Sequence, residues 1–200
     1  MAHSIKSVSV VLALGFATAC GGSAKVVRGA QDPSIDDAGF STALDKRDLQ
    51  KMLKENMQAL WNAPVVERWQ GEARPPVAVL PFRNETSEHV DSALQALISD
   101  VETELVNSGH VRVISLENQQ KLLAEIRRQH GEGFDTTQVA SWGRQLGVQY
   151  IVTGKVFTTA ERAVNARRVQ YYLFMQILNV ETAEVVFQNK SSVTKALVTD

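Results

Sequence analysis

Only one residue in this chain carries a thiol, Cys20, and with no second cysteine it cannot close an internal disulfide. The other residues able to do chemistry are scattered. His3, His89, His110 and His130 stand alone. None has the H-x-x-x-H spacing or the neighbouring paired carboxylates that hold a metal, so His89, His110 and His130 read as solvated groups at loop or helix ends, while His3 falls in the amino-terminal signal. Gly131-Glu132-Gly133 has the look of a phosphate loop. However, it follows a helix where such loops join a strand to a helix, and no Lys-Ser/Thr comes after it. Asn84-Glu85-Thr86 matches a glycosylation sequon, but it reads as a turn, where asparagine tolerates unusual backbone angles. With no acid, base, nucleophile or metal constellation, the sequence points away from an enzyme and calls for no cofactor. What remains is contact chemistry. Arg127-Arg128 and Arg167-Arg168 are either solvated surface or partner contacts, since arginine is favoured at interfaces.

The setting of Cys20 gives its thiol a use. Met1 to Lys6 is a short, weakly basic start, Val8 to Phe16 is apolar, and Ala17-Thr18-Ala19 are small residues directly before the cysteine. That is the three-part layout of a secretory signal, and its apolar part is too short for a stable spanning helix. The small residues ahead of the thiol resemble a lipobox, although Ala17 stands where leucine is usual. A lipobox implies cleavage after residue 19 and acylation of Cys20, with several acyl chains making the anchorage effectively permanent. By resemblance to Gram-negative lipoproteins, Gly21 in place of aspartate implies the outer membrane, periplasmic face. The 21 Lys+Arg against 22 Asp+Glu give a net charge of −1, which leaves no electrostatic footprint for nucleic acid.

The elements that must position any contact surface follow from the rest of the chain. Gly21 to Thr42 is rich in Gly, Ser, Ala and Asp without a sustained apolar period, so residues 20–44 read as a lipidated cysteine and flexible tether. A globular domain is expected over 45–200. It opens with a helix over 45–62, capped by Asp45 and striped by Leu49, Met52, Leu53, Met57 and Leu60. Asn62-Ala63-Pro64 stops that helix, and Trp69 falls in a connection. Val77 to Phe82 reads as a buried strand, Arg83 to His89 as a polar loop, Asp91 to Gly109 as a helix, and Val111 to Ile114 as a second strand. Helices are expected over Leu116 to His130 and from Asp135, whose Thr and Gln neighbours follow capping-box logic, to Leu146. Three strands follow, over Tyr150–Thr158, Val169–Val180 and Glu184–Thr194. Their turns fall near 160–166 and 181–183. The order α-β-α-β-α-α-β-β-β predicts an α/β (α+β) fold, a single mixed sheet flanked by helices, with the first two strands parallel and the last three an antiparallel meander. Tyr171, Tyr172 and Phe174 bring aromatics to successive strand positions. Core packing accounts for them, or in part a protein-binding patch.

Several segments together carry a family resemblance: "DLQKMLKENMQALWNAP", "VAVLPFRNETSEHVD", "ELVNSGHVRVI", "WGRQLGVQYIVTGKV" and "YYLFMQILNVETAEVVFQ". In order and spacing the chain resembles the LpoB-type lipoprotein activators of bifunctional (class A) penicillin-binding proteins. The resemblance implies a fold like the amino-terminal domain of the translocation protein TolB. It also implies a monomer tethered to the outer membrane that docks on a peptidoglycan synthase and activates it allosterically. The same strand-loop-helix pattern with an F-x-N-x-T-like loop also occurs in curli-type secretion and flagellar lipoproteins, which leaves envelope assembly as the alternative. A sheet edge or rim loop is the expected docking surface, with Arg83, Asn84 and Thr86 in one loop and Arg167 and Arg168 in a hairpin as its candidates. At Glu181–Glu184 relatives tend to place glycine where this chain has Ala183, a turn whose cost would be about 1 kcal/mol if its φ is positive.

Overall fold

A computed structural model describes residues 42–116, 141, 143–163 and 166–198. The first helix, α1, spans Lys46–Trp61. Asp45 stands before it in extended backbone and accepts the N–H groups of Arg47 and Asp48 at 2.9 and 3.0 Å. The Asp48 carboxylate returns the bond to the Asp45 N–H at 3.0 Å, so the capping box closes with aspartate in the third helical position. Leu49, Met52, Leu53, Met57 and Leu60 are all buried, as their spacing predicts. The segment expected to be a connection is instead a second helix, α2, over Pro64–Gly71. Pro64 enters it at the start, where the ring's fixed φ suits a helix and the missing N–H goes unused. Val65, Val66 and Trp69 face the core. Such a helix is too short to show a period in sequence.

Among the described residues six strands make one sheet: β1 (Pro76–Val79), β2 (Arg83–Glu85), β3 (Arg112–Val113), β4 (Tyr150–Ala163), β5 (Ala166–Asn179) and β6 (Val185–Val198), with α3 (Asp91–Ser108) between β2 and β3. The order across the sheet is β3-β1-β4-β5-β6, with β2 also on β4. β1 runs parallel to β3 and β4, and β4, β5 and β6 form the expected antiparallel meander. β2 is a correction, since it lies inside the expected polar loop. Val79 pairs with Val152 and Arg83 with Lys155, so three residues of one strand oppose two of β4. That is a bulge centred on Leu80-Pro81-Phe82, where proline lacks the N–H to continue a ladder. The meander strands also run longer than expected, to Ala163, from Ala166 and to Val198. Backbone pairing carries them past the segments where apolar and polar residues alternate clearly. The expected helices over 116–130 and 135–146 lie outside the described residues, apart from helical positions 141 and 143–146.

The sheet buries apolar side chains on both faces. On one, Val77, Val79, Tyr150, Val152, Val156, Leu173, Met175 and Ile177 pack under α1, α2 and α3. On the other, a smaller cluster joins Ala78, Leu80, Leu116, Leu146, Val148, Ile151, Leu178 and Val180. Gly143 belongs to this second contact, because a Cβ there would collide with Val180 and Ile151. One fully buried polar side chain fastens α1 to the meander. The Asn56 amide nitrogen lies 3.1 Å from the carbonyl oxygens of Met52 and Leu173 and 2.8 Å from Ser191 Oγ, while its Oδ1 accepts from Asn189 at 3.0 Å.

Candidate docking face

Side chains alternate across a strand, so the paired registers sort β4, β5 and β6 into rows on each face. On the face turned away from α1, one row reads Thr153, Gln176, Gln188 and the next Arg83, Lys155, Phe174, Lys190. Glu85, Phe157, Tyr172 and Ser192 make the third row, and Glu161, Arg168 and Ala196 come two rows further on. Here the Phe157 and Tyr172 rings stack with centroids 4.9 Å apart and planes 15° from parallel. Lys155 Nζ sits 5.4 Å from the Phe157 centroid, and Lys190 Nζ 5.0 Å from that of Tyr172. Each cation gains about 0.5–1 kcal/mol from the ring it covers at such an exposed position. The Tyr172 hydroxyl donates to Gln170 Oε1 at 2.7 Å, which holds its ring against the sheet.

Beside this stack lies a concavity of about 260 Å³ lined by Arg83, Thr153, Gly154, Lys155, Phe174 and Gln176. It sits where the bulge interrupts pairing with β4. Glu85 bridges its two cations, 3.0 Å from Arg83 Nη2 and 2.9 Å from Lys155 Nζ. Gly154 is required on the opposite face, where a Cβ would come within 2.6 Å of the Phe174 carbonyl oxygen and 3.1 Å of the Phe82 ring.

The structure separates the residues that the sequence singles out for contact. Arg83 lines the concavity, and Arg168 is exposed on the same face by register. Arg167, one position away, takes a register position on the other face, opposite Arg162. Neither arginine of that pair lies in a turn, since both belong to β5. Asn84 and Thr86 spend their polar groups within their own loop. Asn84 Nδ2 donates to the Glu88 carbonyl oxygen at 2.8 Å, Asn84 Oδ1 accepts from the Thr86 N–H and hydroxyl at 3.0 and 2.7 Å, and Thr86 Oγ1 accepts from the Glu88 N–H at 3.0 Å. They set the shape of the loop that delivers Arg83 and Glu85. Cys20 lies outside the described residues. Sequence reasoning passed over Lys155, Phe157 and Lys190. The available signal was the alternation of Lys155 and Phe157 with buried Gly154 and Val156, but which residues lie opposite on β5 and β6 depends on register.

A single mixed sheet packed by helices carries a row of cations and aromatics on part of the face turned away from α1, an arrangement suited to contact. Among the described residues no group of His, Cys, Asp or Glu could hold a metal. The chain belongs to the family described as the peptidoglycan-synthase activator LpoB, whose pattern matches residues 48–193. Solved structures similar to it include the LpoB C-terminal domain from Salmonella enterica, at 21% identity over 75% of this chain and 98% of that one, with a TM-score of 0.42. The LpoB C-terminal domain from Escherichia coli is similar at 20% identity over 65% of this chain and 93% of that one, with a TM-score of 0.40. A third is the PelC dodecamer from Paraburkholderia phytofirmans, at 17% identity over 61% of this chain and 72% of that one, with a TM-score of 0.38. No curated protein matches the chain. No described helix is long and apolar enough to cross a membrane.

Proposed function

We propose that residues 45–200 are a docking module that binds a class A penicillin-binding protein and shifts it to its active state. The signal, residues 1–19, is removed, Cys20 is lipidated, and the tether over 20–44 holds the module at the periplasmic face of the outer membrane. The family supplies the activity, and one structural observation supports the choice of surface. Lys155, Lys190 and the stacked pair Phe157–Tyr172 form a partly exposed cation–aromatic patch on the sheet face turned away from α1. Aromatic and arginine anchors dominate binding at interfaces, and cations steer an acidic partner onto them. Arg83 and Arg168 extend the patch, with Asn84 and Thr86 fixing the loop at its rim. Activation needs no chemistry from this chain. It requires only that the patch bind the active synthase conformation more tightly than the resting one.

The test uses the full chain in detergent with a purified class A synthase. The double variant Lys155→Glu, Lys190→Glu should weaken binding at least tenfold and remove stimulation of glycan polymerisation. Arg168→Glu should weaken binding by less, and Arg167→Glu less again. Undiminished stimulation by the double variant would exclude this face. A chain that sediments as a closed ring and binds no synthase would favour envelope assembly over synthase activation.

A further inference from the structure

The two edges of the sheet are built differently. At one, β3 is 2 residues long, whereas at the other β6 runs for 14, from Val185 to Val198. β6 pairs with β5 along its length, and among the described residues no strand pairs with its outer side. In an antiparallel ladder a strand turns half of its N–H and C=O groups toward one neighbour and half away, so half of those of β6 point outward. Short length, prolines and bulges ordinarily blunt such an edge. β6 contains no proline, and its shift in register lies at its start, opposite Ile177 and Leu178. The side chains along the edge specify the strand that fits it. Toward α1, Phe187 is buried and Val193 partly buried at the rim of the core. Away from α1, Gln188, Lys190 and Ser192 are exposed. Between Val185 and Val198 the charged residues are Lys190 and Lys195, with no acid. Lys195 is held by Asp45 and Asp48, whereas Lys190 sits over an uncharged ring, that of Tyr172.

We propose that β6 receives an extended segment of a protein partner as an added strand, apolar toward α1 and carrying an acidic residue across from Lys190. The proposal rests on the reading of the neighbouring cation–aromatic patch as the docking surface, with which Lys190 makes the edge continuous. Charge selects a foreign strand over a second copy of this chain. Two β6 strands overlapped edge to edge and antiparallel would bring their Lys190 side chains onto one face within a few positions of each other. Like charges so placed repel, whereas an acid there is attracted. Backbone bonds to the edge supply the affinity of such an addition, and the alternating side chains its selectivity.

The probe is an N-acetylated, C-amidated peptide, Thr-Glu-Val-Glu-Val-Glu-Thr, titrated against the full chain in detergent. A second peptide has lysine for each glutamate. A third has proline for each valine, which keeps the charge and stops the backbone from pairing. The readout is hydrogen exchange of the β6 backbone amides, followed by NMR. In the chain alone, alternate amides from Phe187 to Lys195 should exchange rapidly at every concentration. The glutamate–valine peptide should slow those amides severalfold as it saturates in the millimolar range, and the other two peptides should not. Lys190→Glu should transfer the effect to the lysine peptide. Four results would each overturn the proposal: slow exchange in the dilute chain alone, slowing that rises with the concentration of the chain as a second copy pairs, an equal effect of the proline peptide, or no effect of the glutamate–valine peptide. Purified class A synthase in place of the peptide should slow the same amides. A synthase that binds and leaves them fast would overturn the strand addition and spare the docking reading. A peptide that adds to β6 of a chain that binds no synthase would remove the proposed function alone.

Discussion

At the scale of single residues, Ala183 is in a conformation that its side chain resists. Its φ is 57°, in the left-handed region, within the turn between β5 and β6. Asn179 Oδ1 accepts from the N–H groups of Glu181 and Thr182 at 2.9 and 3.2 Å and holds that turn in place. Glycine meets no Cβ penalty there, so Ala183→Gly should stabilise the domain by about 0.5–1 kcal/mol, seen as a higher denaturation midpoint with an unchanged slope. Lys195 gives a second prediction. Its Nζ lies 2.8 Å from the Ala43 carbonyl oxygen and 2.6 Å from Oδ2 of both Asp45 and Asp48, one acceptor for each of its three protons. Burial would push the Asp45 carboxyl up, but the hydrogen bonds from Lys195 and from the backbone of Asp48 and Arg47 bring it below its usual value. Burial likewise pulls the Lys195 ammonium down, and the two aspartates more than reverse it, so its pKa is raised. The carboxylate contribution is complete above an unfolded value of about 3.9 and fades as pH falls through the lower folded one. That of the ammonium is complete below about 10.4 and is lost as pH rises through its higher folded value. Lys195→Met should therefore cost about 1 kcal/mol at neutral pH, a modest figure because Asp45 is half exposed and solvent screens the pair. The deficit should shrink in strong acid and in strong alkali, as denaturation curves across pH would show.

Between elements, the fit of α1 onto the meander depends on Asn56. It is the fully buried polar residue in the apolar stripe, and it ties the Met52 and Leu173 carbonyls to Ser191. Asn56→Ala leaves the Asn189 amide without its acceptor and leaves the Met52 and Leu173 carbonyls to share the Ser191 hydroxyl, so a loss of about 2 kcal/mol is expected in equilibrium unfolding. Asn56→Asp should be at least as costly, because the added charge would be buried beside carbonyl oxygens. The apolar stripe of α1, the strand at Val77 and the three-strand meander were legible in the sequence because each depends on a period within one segment. The role of Asn56 was not, since Leu173, Asn189 and Ser191 lie more than a hundred residues away. Gly143 escaped for the same reason: within "WGRQLG" it is only a weak helix former, and the crowding by Val180 and Ile151 that demands it belongs to another element. The docking face was half legible. Arg83 and Arg168 were singled out as contact candidates in a loop and a hairpin, but their places in strands, the separation of Arg167 from Arg168 and the row joining Arg83, Lys155, Phe174 and Lys190 all follow from register. Register is set by pairing between strands, which no single segment contains.

Across the whole chain, the proposed anchor and the proposed docking face fall on parts that do not overlap. The meander holds the first described residues, Thr42 and Ala43. The Tyr171 hydroxyl lies 3.0 Å from the Thr42 carbonyl oxygen and Lys195 reaches the Ala43 carbonyl. Both grips are on the α1 side of the meander, while Lys155, Phe157, Tyr172 and Lys190 occupy the opposite side. In the proposed arrangement residues 21–42, at about 3.3–3.6 Å each when taut, would give the anchor roughly 80 Å of reach. Two variants should therefore behave as mirror images. Cys20→Ser should leave the membrane fraction, keep the unfolding midpoint of the wild type and still bind synthase in solution. The Lys155→Glu, Lys190→Glu chain should remain in the membrane fraction and lose the synthase. Fractionation after cell lysis and binding of the purified chains measure the two properties separately. Loss of synthase binding by Cys20→Ser in solution would mean that the lipid or the tether belongs to the docking surface. Undiminished membrane retention by that same variant would show that something other than an acylated thiol holds the chain there.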